Sequence, residues 1–317
     1  MFEVFILPVE KQLVIIGAGP AGLSAGIYAA RFGLNAVILE AKVSGGQAAE
    51  AAVIENYPGF VKIRGMELMD AMRKQAEGCG CDIHDLEPVR KIEKKEKHVR
   101  VISDRETYVA DAVIIATGRE HVKLGVPGEE QFSGRGVSYC ATCDGPLFKG
   151  RRVLVVGGGN TACSEALYLS DVAGEVHLVH RRDDLRAEAY YKRVLTEKGV
   201  KFHWNTEVKS IEGDKIVKKI RLVNNKTGEE TTLDVDAVFI AVGYKPVSDL
   251  AKEAGVKLDE GGYIVVDREQ RTNIEGIFAA GDITGGIFQI ATAVGEGATA
   301  AVNAYLYIRG GWYGTSK

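Results

Sequence analysis

Proline is scarce in this 317-residue chain, 7 residues against 38 glycines, so most tight turns fall to glycine. Net charge is scarce too: 40 basic and 43 acidic side chains leave −3, which gives no field for nucleic acid or an anionic membrane. The five cysteines lack the repeated pairing of a disulfide-built secreted domain, and a reducing, cytoplasmic setting is expected. No apolar run approaches the ~18 residues of a membrane-spanning helix. The first ten residues hold a short apolar stretch without a basic segment or cleavage site, so no secretory signal is expected there. What remains, 46% hydrophobic and 26% charged, is an ordinary globular composition with length for roughly two domains.

Two stretches share one pattern. The β-type run Lys11 to Ile16 feeds Gly17-Ala18-Gly19-Pro20-Ala21-Gly22, then a small-residue helix (Leu23 to Phe32) and a second strand, Ala36 to Leu39, ending at Glu40. This is a G-x-G-x-x-G turn inside a βαβ unit, with an acid about 20 positions on to hold a ribose hydroxyl. The second copy runs from a strand, Arg152 to Val156, into Gly157-Gly158-Gly159-Asn160-Thr161-Ala162 and a helix, Cys163 to Leu169. Its next strand, Glu175 to Val179, ends at His180-Arg181-Arg182, with Arg186 four residues further. A carboxylate suits a 2′-hydroxyl, whereas a 2′-phosphate calls for charge-assisted donors, which arginine supplies in a fork. The first unit therefore reads as binding FAD or NAD and the second as binding NADPH; a solvated charged turn is the plainer alternative for the arginines.

Further runs set the architecture. Asp111 to Gly118 is an apolar strand leading into a glycine turn, and Asp236 to Gly243 nearly copies it. A third run, Gly276 to Asp282, precedes a small-residue helix from Gln289 to Tyr307, and Asp282 is placed to accept from a ribityl hydroxyl. The expected fold is α/β: two Rossmann-like three-layer ββα nucleotide-binding domains, the second inserted into the first. The expected pieces are 1–118, 119–246 and 247–317, with Thr117-Gly118-Arg119 and Val242-Gly243-Tyr244 as hinges. Residues 65–78 read as a helix with Met66, Met69 and Met72 in the core, and Pro88 to Ala110 as a solvent-facing antiparallel meander. Cys79, Cys81 and Cys163 are expected to be ordinary thiols, since spacing and partners suit neither a disulfide nor zinc.

Chemistry concentrates at Ser138 to Lys149, where Cys140 and Cys143 stand two residues apart and Asp144 follows. Such a pair can close and reopen a disulfide, one sulfur commonly having a lowered pKa, although the same spacing also makes half a zinc site. Gly145-Pro146-Leu147-Phe148-Lys149 then reads either as a turn with two core side chains or as an apolar contact for a protein partner, rimmed by Arg135 and Lys149.

Taken together, GAGPAG (17–22), GGQ (45–47), ENYPG (55–59), ATG (116–118), CATCDG (140–145), GGGNTA (157–162), HRRDDLRAE (180–188) and AAGDI (279–283) are ordered as in one family. The chain resembles the low-molecular-weight NADPH-dependent thioredoxin reductases over nearly its whole length. The resemblance implies a homodimer with one FAD per subunit, an NADPH domain carrying the redox pair, and thioredoxin or a thioredoxin/glutaredoxin-like protein as disulfide substrate. It adds Gly46, Gln47, Asn56, Thr117, Gly118, Gly281, Gln289 and Ile290 to the FAD set. It makes Cys143 the sulfur nearest the flavin, Cys140 the one that attacks thioredoxin, and Asp144 the group that protonates as the dithiol forms. One departure stands out: the family commonly has Arg-Gln before the last helix, and this chain has Phe288-Gln289 in a loop one residue shorter. That bears on a charged contact to the flavin, not on the flavin itself.

Because redox pair and nicotinamide would share the inserted domain, rotation at the two glycine segments is expected to alternate them at the flavin. A flavin-dependent dithiol oxidase would need no pyridine nucleotide, and the arginine cluster speaks against it. A peroxide-system flavoprotein usually carries an extra N-terminal redox domain, which ten residues before the first strand do not contain. A zinc-held sensor would need four placed ligands, and no metal site is expected.

Overall fold

The computed structural model describes residues 8–51 and 53–310; the apolar start of the chain and the tail with Trp312 and Tyr313 lie outside the described residues. The chain opens with β1 (Val9–Ile16), α1 (Pro20–Arg31), β2 (Ala36–Leu39), a single turn α2 (Gly46–Ala49), α3 (Gly65–Gly78) and β3 (Asp82–His84). β4 (Val89–Lys94), β5 (Val99–Ser103), β6 (Thr107–Ile115) and a crossing strand β7 (Arg119–His121) follow. Next come β8 (Val137–Ser138), α4 (Ala141–Asp144), β9 (Arg152–Val156), α5 (Asn160–Ser170), β10 (Glu175–His180) and α6 (Ala189–Glu197). β11 (Lys201–Trp204), β12 (Thr206–Gly213), β13 (Val217–Asn224), β14 (Glu230–Asp234) and β15 (Ala237–Ile240) lead to the return crossing β16 (Tyr244–Pro246). α7 (Asp249–Glu253), β17 (Ile277–Ala279) and α8 (Ile290–Ile308) complete the described chain. Contacts divide it into two compact units, one up to Glu120 and again from Pro246, the other His121–Lys245.

In the first unit the sheet order is β3-β2-β1-β6, with β17 beside the end of β6 and β5-β4 continuing antiparallel from its start. β1 is in register with β2 (Ile16↔Leu39) and β6 (Ile16↔Ile115), so three parallel strands end level. Continuous apolar runs such as Leu13-Val14-Ile15-Ile16 belong in a sheet covered on both faces, and the first three are fully buried. Each stabilises by about 1.5–3 kcal/mol relative to exposure. One face carries α1, α3 and α8, whose small side chains let helices approach closely; a Cβ on Gly297 would strike Ala21 O. The other face packs against β4, β5 and α7. The second unit repeats this plan: a parallel core β11-β10-β9-β15-β8, with α5 and α6 on one face and the antiparallel sheet β12-β13-β14 on the other.

Several sequence expectations need correcting. Met69 and Met72 are buried but Met66 is 63% exposed. At about 100° per residue an i, i+3, i+6 series spreads over roughly 120°, and the buried stripe centres on Met69, Met72 and Ala76 instead. The charged meander is not simply solvent-facing: Val89, Ile92, Val99, Val101, Tyr108 and Ala110 form one buried face. α1 and α5 begin at Pro20 and Asn160, within the glycine motifs rather than after them, and α8 begins at Ile290 with Gln289 as its N-cap.

Candidate active site

Cys140 sits where the short strand β8 leaves the carboxyl edge of the second sheet. β8 pairs with β15 (Val137↔Val238, Ser138↔Phe239), and Ser138 Oγ accepts from Cys140 N at 3.1 Å. Tyr139 between them is anchored through its hydroxyl to Glu129 at 2.7 Å; burial and that bond push its pKa up. Glu129 also accepts from Leu124 N and Gly125 N, so the approach to the cysteines is tied down by main chain. Cys140 and Cys143 are disulfide-bonded, and Cys140 Sγ accepts from Cys143 N at 3.2 Å, capping α4. Asp144 closes that turn, its N–H donating to Cys140 O at 3.1 Å. Burial holds the thiols of Cys81 and Cys163 protonated, at about 12 and about 11, so neither competes as a nucleophile. Leu147 is 77% exposed, whereas Phe148 turns inward and meets the buried Phe239 edge-on at 5.9 Å.

The nucleotide loop of this unit lies on the same sheet edge. Gly157 at the end of β9 has φ 151°, and a Cβ there would collide with Ala241 O. Around Gly159 there is open space, and no side chain caps α5, so its first N–H groups face outward as an anion cradle. The arginine segment is fastened to this loop: Arg186 N donates to Gly158 O at 2.8 Å, and Glu188 N to Asn160 Oδ1 at 3.0 Å. His180 is buried beneath Gly158, its pKa lowered by burial and then by the charges of Arg186, Arg182 and Arg181. Asp183 and Asp184 are taken up by Lys226 (3.4 Å) and Lys192 (2.7 Å). Arg181, Arg182 and Arg186 stay exposed, with no ion pair among the described residues. Thr161 is exposed on the first turn of α5.

In the first unit the sequence-chosen residues gather at the carboxyl ends of β1, β6 and β17, where a doubly wound sheet takes its ligand. Gly17 has φ 104° and its missing Cβ makes room for Ala116 O; Pro20 opens α1 and Ala21 is buried behind it. Among the described residues no side chain caps α1, and a Cβ placed on Gly19 would meet nothing nearer than Gly46 Cα at 4.0 Å, which leaves the loop open to a phosphate. Glu40 accepts from Ala18 N and Lys42 N, both at 2.8 Å, and retains lone pairs for hydroxyl donors. Gln47 Nε2 donates to Arg119 O at 2.8 Å, Thr117 Oγ1 to Val247 O at 2.7 Å, and Asn56 Nδ2 to Gln289 Oε1 at 3.0 Å. Gly118 and Ile290 border the same edge.

Two residues there escaped the sequence reading as site residues. Arg119 binds Asp282 Oδ2 at 3.0 Å and lays its guanidinium 3.6 Å over the Phe288 ring. A cation thus stands beside the position where the resembled family has arginine, and its only sequence signal was an arginine following the glycine turn. Glu296, nearly two helical turns into α8, accepts from Gly281 N (2.7 Å) and Thr284 Oγ1 (3.2 Å), with burial raising its pKa. No group of three or more His, Cys, Asp or Glu side chains among the described residues could hold a metal ion. No helix among the described residues is long and apolar enough to cross a membrane.

Two glycine-turn cradles, one beside a carboxylate and one beside arginines, with a disulfide on the second sheet's edge, define a pyridine nucleotide-disulfide type of oxidoreductase. The pyridine nucleotide-disulphide oxidoreductase family model matches residues 11–297, and the chain belongs to that family. Among its relatives, thioredoxin reductase from Treponema pallidum is 45% identical over 302 residues, 94% of this chain and 97% of that protein. The structure of Lactococcus lactis thioredoxin reductase (FR conformation) superposes with a TM-score of 0.81 at 42% identity, covering 95% of this chain and 99% of that one. That of T. acidophilum thioredoxin reductase gives 0.79 at 42% identity over 93% and 98%.

Proposed function

We propose that this chain is a thioredoxin-disulfide reductase that draws on NADPH and FAD and delivers two electrons through Cys140 and Cys143 to oxidised thioredoxin. The observation that carries the reading is the Cys140–Cys143 disulfide on the same sheet edge as the Gly157 loop and its arginines. The residues present fit both cofactors. The uncapped α1, the open face of Gly19 and the lone pairs of Glu40 suit FAD, while the uncapped α5, the space at Gly159 and the exposed arginines suit NADPH. Bound together, the two cofactors supply hydride transfer and a two-electron relay to sulfur.

The chain's own residues then do the following. Arg181, Arg182 and Arg186 hold a 2′-phosphate that NADH lacks, and Gly157, Gly159, Asn160 and Thr161 hold the pyrophosphate side. Cys140 is the sulfur that attacks the partner's disulfide, Cys143 its internal partner, and Asp144 the acid for the departing thiolate. The exposed Leu147 offers the partner an apolar contact, with Arg135 and Lys149 as a charged rim. The inserted unit turns about the two crossings between half-reactions, the protein is a homodimer, and it works in the cytoplasm. Thioredoxin is preferred over glutaredoxin-like partners on the strength of its relatives.

Anaerobic titration of the purified protein with NADPH tests this reading. A yellow protein that accepts four electrons per subunit is expected, two on the flavin and two on the disulfide. A colourless protein, or one that takes only two, would overturn it. Sedimentation equilibrium tests the dimer.

A further inference from the structure

Glu165 lies on α5, one turn past the nucleotide loop, and belongs to none of the roles above. The backbone N–H of Ala141, the peptide that directly follows Cys140, donates to its carboxyl group. Its other oxygen, Oε2, is buried with no hydrogen-bond partner among the described residues. An ionised carboxylate with a buried, unpaired oxygen is costly, and an acid left so has a use for its proton or holds a neighbour in place. The neighbour here is the redox turn itself, for α4 packs on α5, and Gly145 sits against Tyr168 and Leu169.

We propose that Glu165 is a positioning residue for the Cys140–Cys143 couple: it holds the Ala141 peptide and shares a proton with the thiol formed when the disulfide opens. This rests on the reading of the pair as the redox centre. Burial lifts the acid to about 7, with the Ala141 amide opposing, so it changes charge in the range where thiolates form. The titratable groups on the elements around it are Cys140, Cys143 and Asp144 at α4, Cys163 and Tyr168 on α5, and Tyr190, Tyr191, Lys192, Arg193 and Glu197 on α6. β9 and β10 contribute Arg152, Glu175, His177 and His180. No charge is among the causes of the Glu165 shift; reduction of the disulfide, whose Cys140 is joined to the Ala141 peptide that Glu165 holds, would add one.

The step balances with dithiothreitol as reductant. The protein S–S bond breaks, the reagent's two sulfurs join, and two electrons pass to the protein. Of the reagent's two protons, one stays on a protein sulfur and the other is shared between the second sulfur and Glu165. Thiolate and carboxylate are then reluctant to be ionised together, and the pair titrates in two coupled steps.

The test is alkylation of the dithiothreitol-reduced protein by iodoacetamide, read by mass spectrometry on the peptide holding Cys140 and Cys143, from pH 5 to 10. Wild type should show a broad two-step profile. Glu165→Gln keeps an oxygen for Ala141 N–H but cannot ionise; it should show one step, about one pH unit lower, and alkylate roughly three- to tenfold faster near pH 7.5. Superimposable profiles would overturn the proposal, since a residue that only spaces the helices would leave them so. Reduced-minus-oxidised infrared spectra near pH 8 give a second measure, whose first arm needs only the wild type. A gained protonated-carboxyl band supports the proposal; no band, or one that persists in Glu165→Gln and so belongs to Asp144, overturns it. Neither measurement uses NADPH or thioredoxin, so failure of the reductase reading would appear separately, as absent NADPH-driven thioredoxin reduction.

Discussion

In the first unit the strand after the nucleotide helix ends at Glu40, whose oxygens are met by the main-chain N–H groups of Ala18 and Lys42. In the second it ends at His180, and the acids that follow are drawn off by Lys226 and Lys192 while the arginines stay exposed. The turns themselves are near copies, Gly17 and Gly157 each making room for the carbonyl at the end of a neighbouring strand. On the proposed reading, the difference teaches that one fold offers a phosphate cradle twice, and that the charge at the end of the following strand would decide which dinucleotide enters it. A further asymmetry adds the chemistry: only the second sheet has an edge strand, β8, that delivers a disulfide to the ligand side.

The comparison can be broken most severely at that disulfide. Cys143→Ser should lower NADPH-driven thioredoxin reduction at least ~1000-fold, since a covalent step is removed, while the flavin is retained. Next come the paired turns. Gly17→Ala forces a Cβ into Ala116 O and should yield protein largely free of FAD, whereas Gly157→Ala should keep its yellow colour and lose NADPH affinity; absorbance after purification separates them. Replacing Arg181 and Arg182 by alanine should raise KM for NADPH about 10–100-fold and leave KM for NADH unchanged, because only the 2′-phosphate loses its charge-assisted bonds.

Smaller effects sharpen the picture around the redox turn. Leu147→Ala should raise KM for thioredoxin several-fold at unchanged flavin reduction, whereas Phe148→Ala should instead lower the Tm, its ring lying against Phe239. The smallest expected effect is in pH dependence. His177 and His203 in the second unit, 2.8 Å apart, both have pKa values lowered, by burial first. Their folded values lie below the unfolded one near 6.5, so the stability they contribute is complete above that pH and lost as pH falls through the lowered values. Glu165 works in the opposite sense, its raised value favouring the fold at lower pH. His203→Gln should therefore lessen the Tm loss between pH 7 and pH 5 by about 2–4 °C, measured by calorimetry.

Much of this was legible residue by residue. Glycine turns between apolar strands leave little freedom, so Gly17, Gly22, Gly157 and the strand ends were readable, as was the contrast between Glu40 and the arginines. Met66 was misread because three methionines at helical spacing look alike until the stripe they share is known. β8 was invisible, since two residues carry no periodicity and pair only because β15 offers a partner. Arg119 over Phe288 joins positions 169 residues apart, and nothing in their own stretches singles out Glu296 or Glu165, whose shifts come from burial.

Sequence by itself determined the local chemistry here: which turns must be glycine, which strand ends carry charge, and which sulfurs stand close enough to pair. These depend on backbone sterics and on residues within a few positions of one another. Only the tertiary structure decided which side chains lose their water, and with it the raised pKa of Glu165, the lowered pKa of His180 and the inward turn of Phe148. Burial is a sum over neighbours brought from distant parts of the chain, and no short stretch of residues contains it.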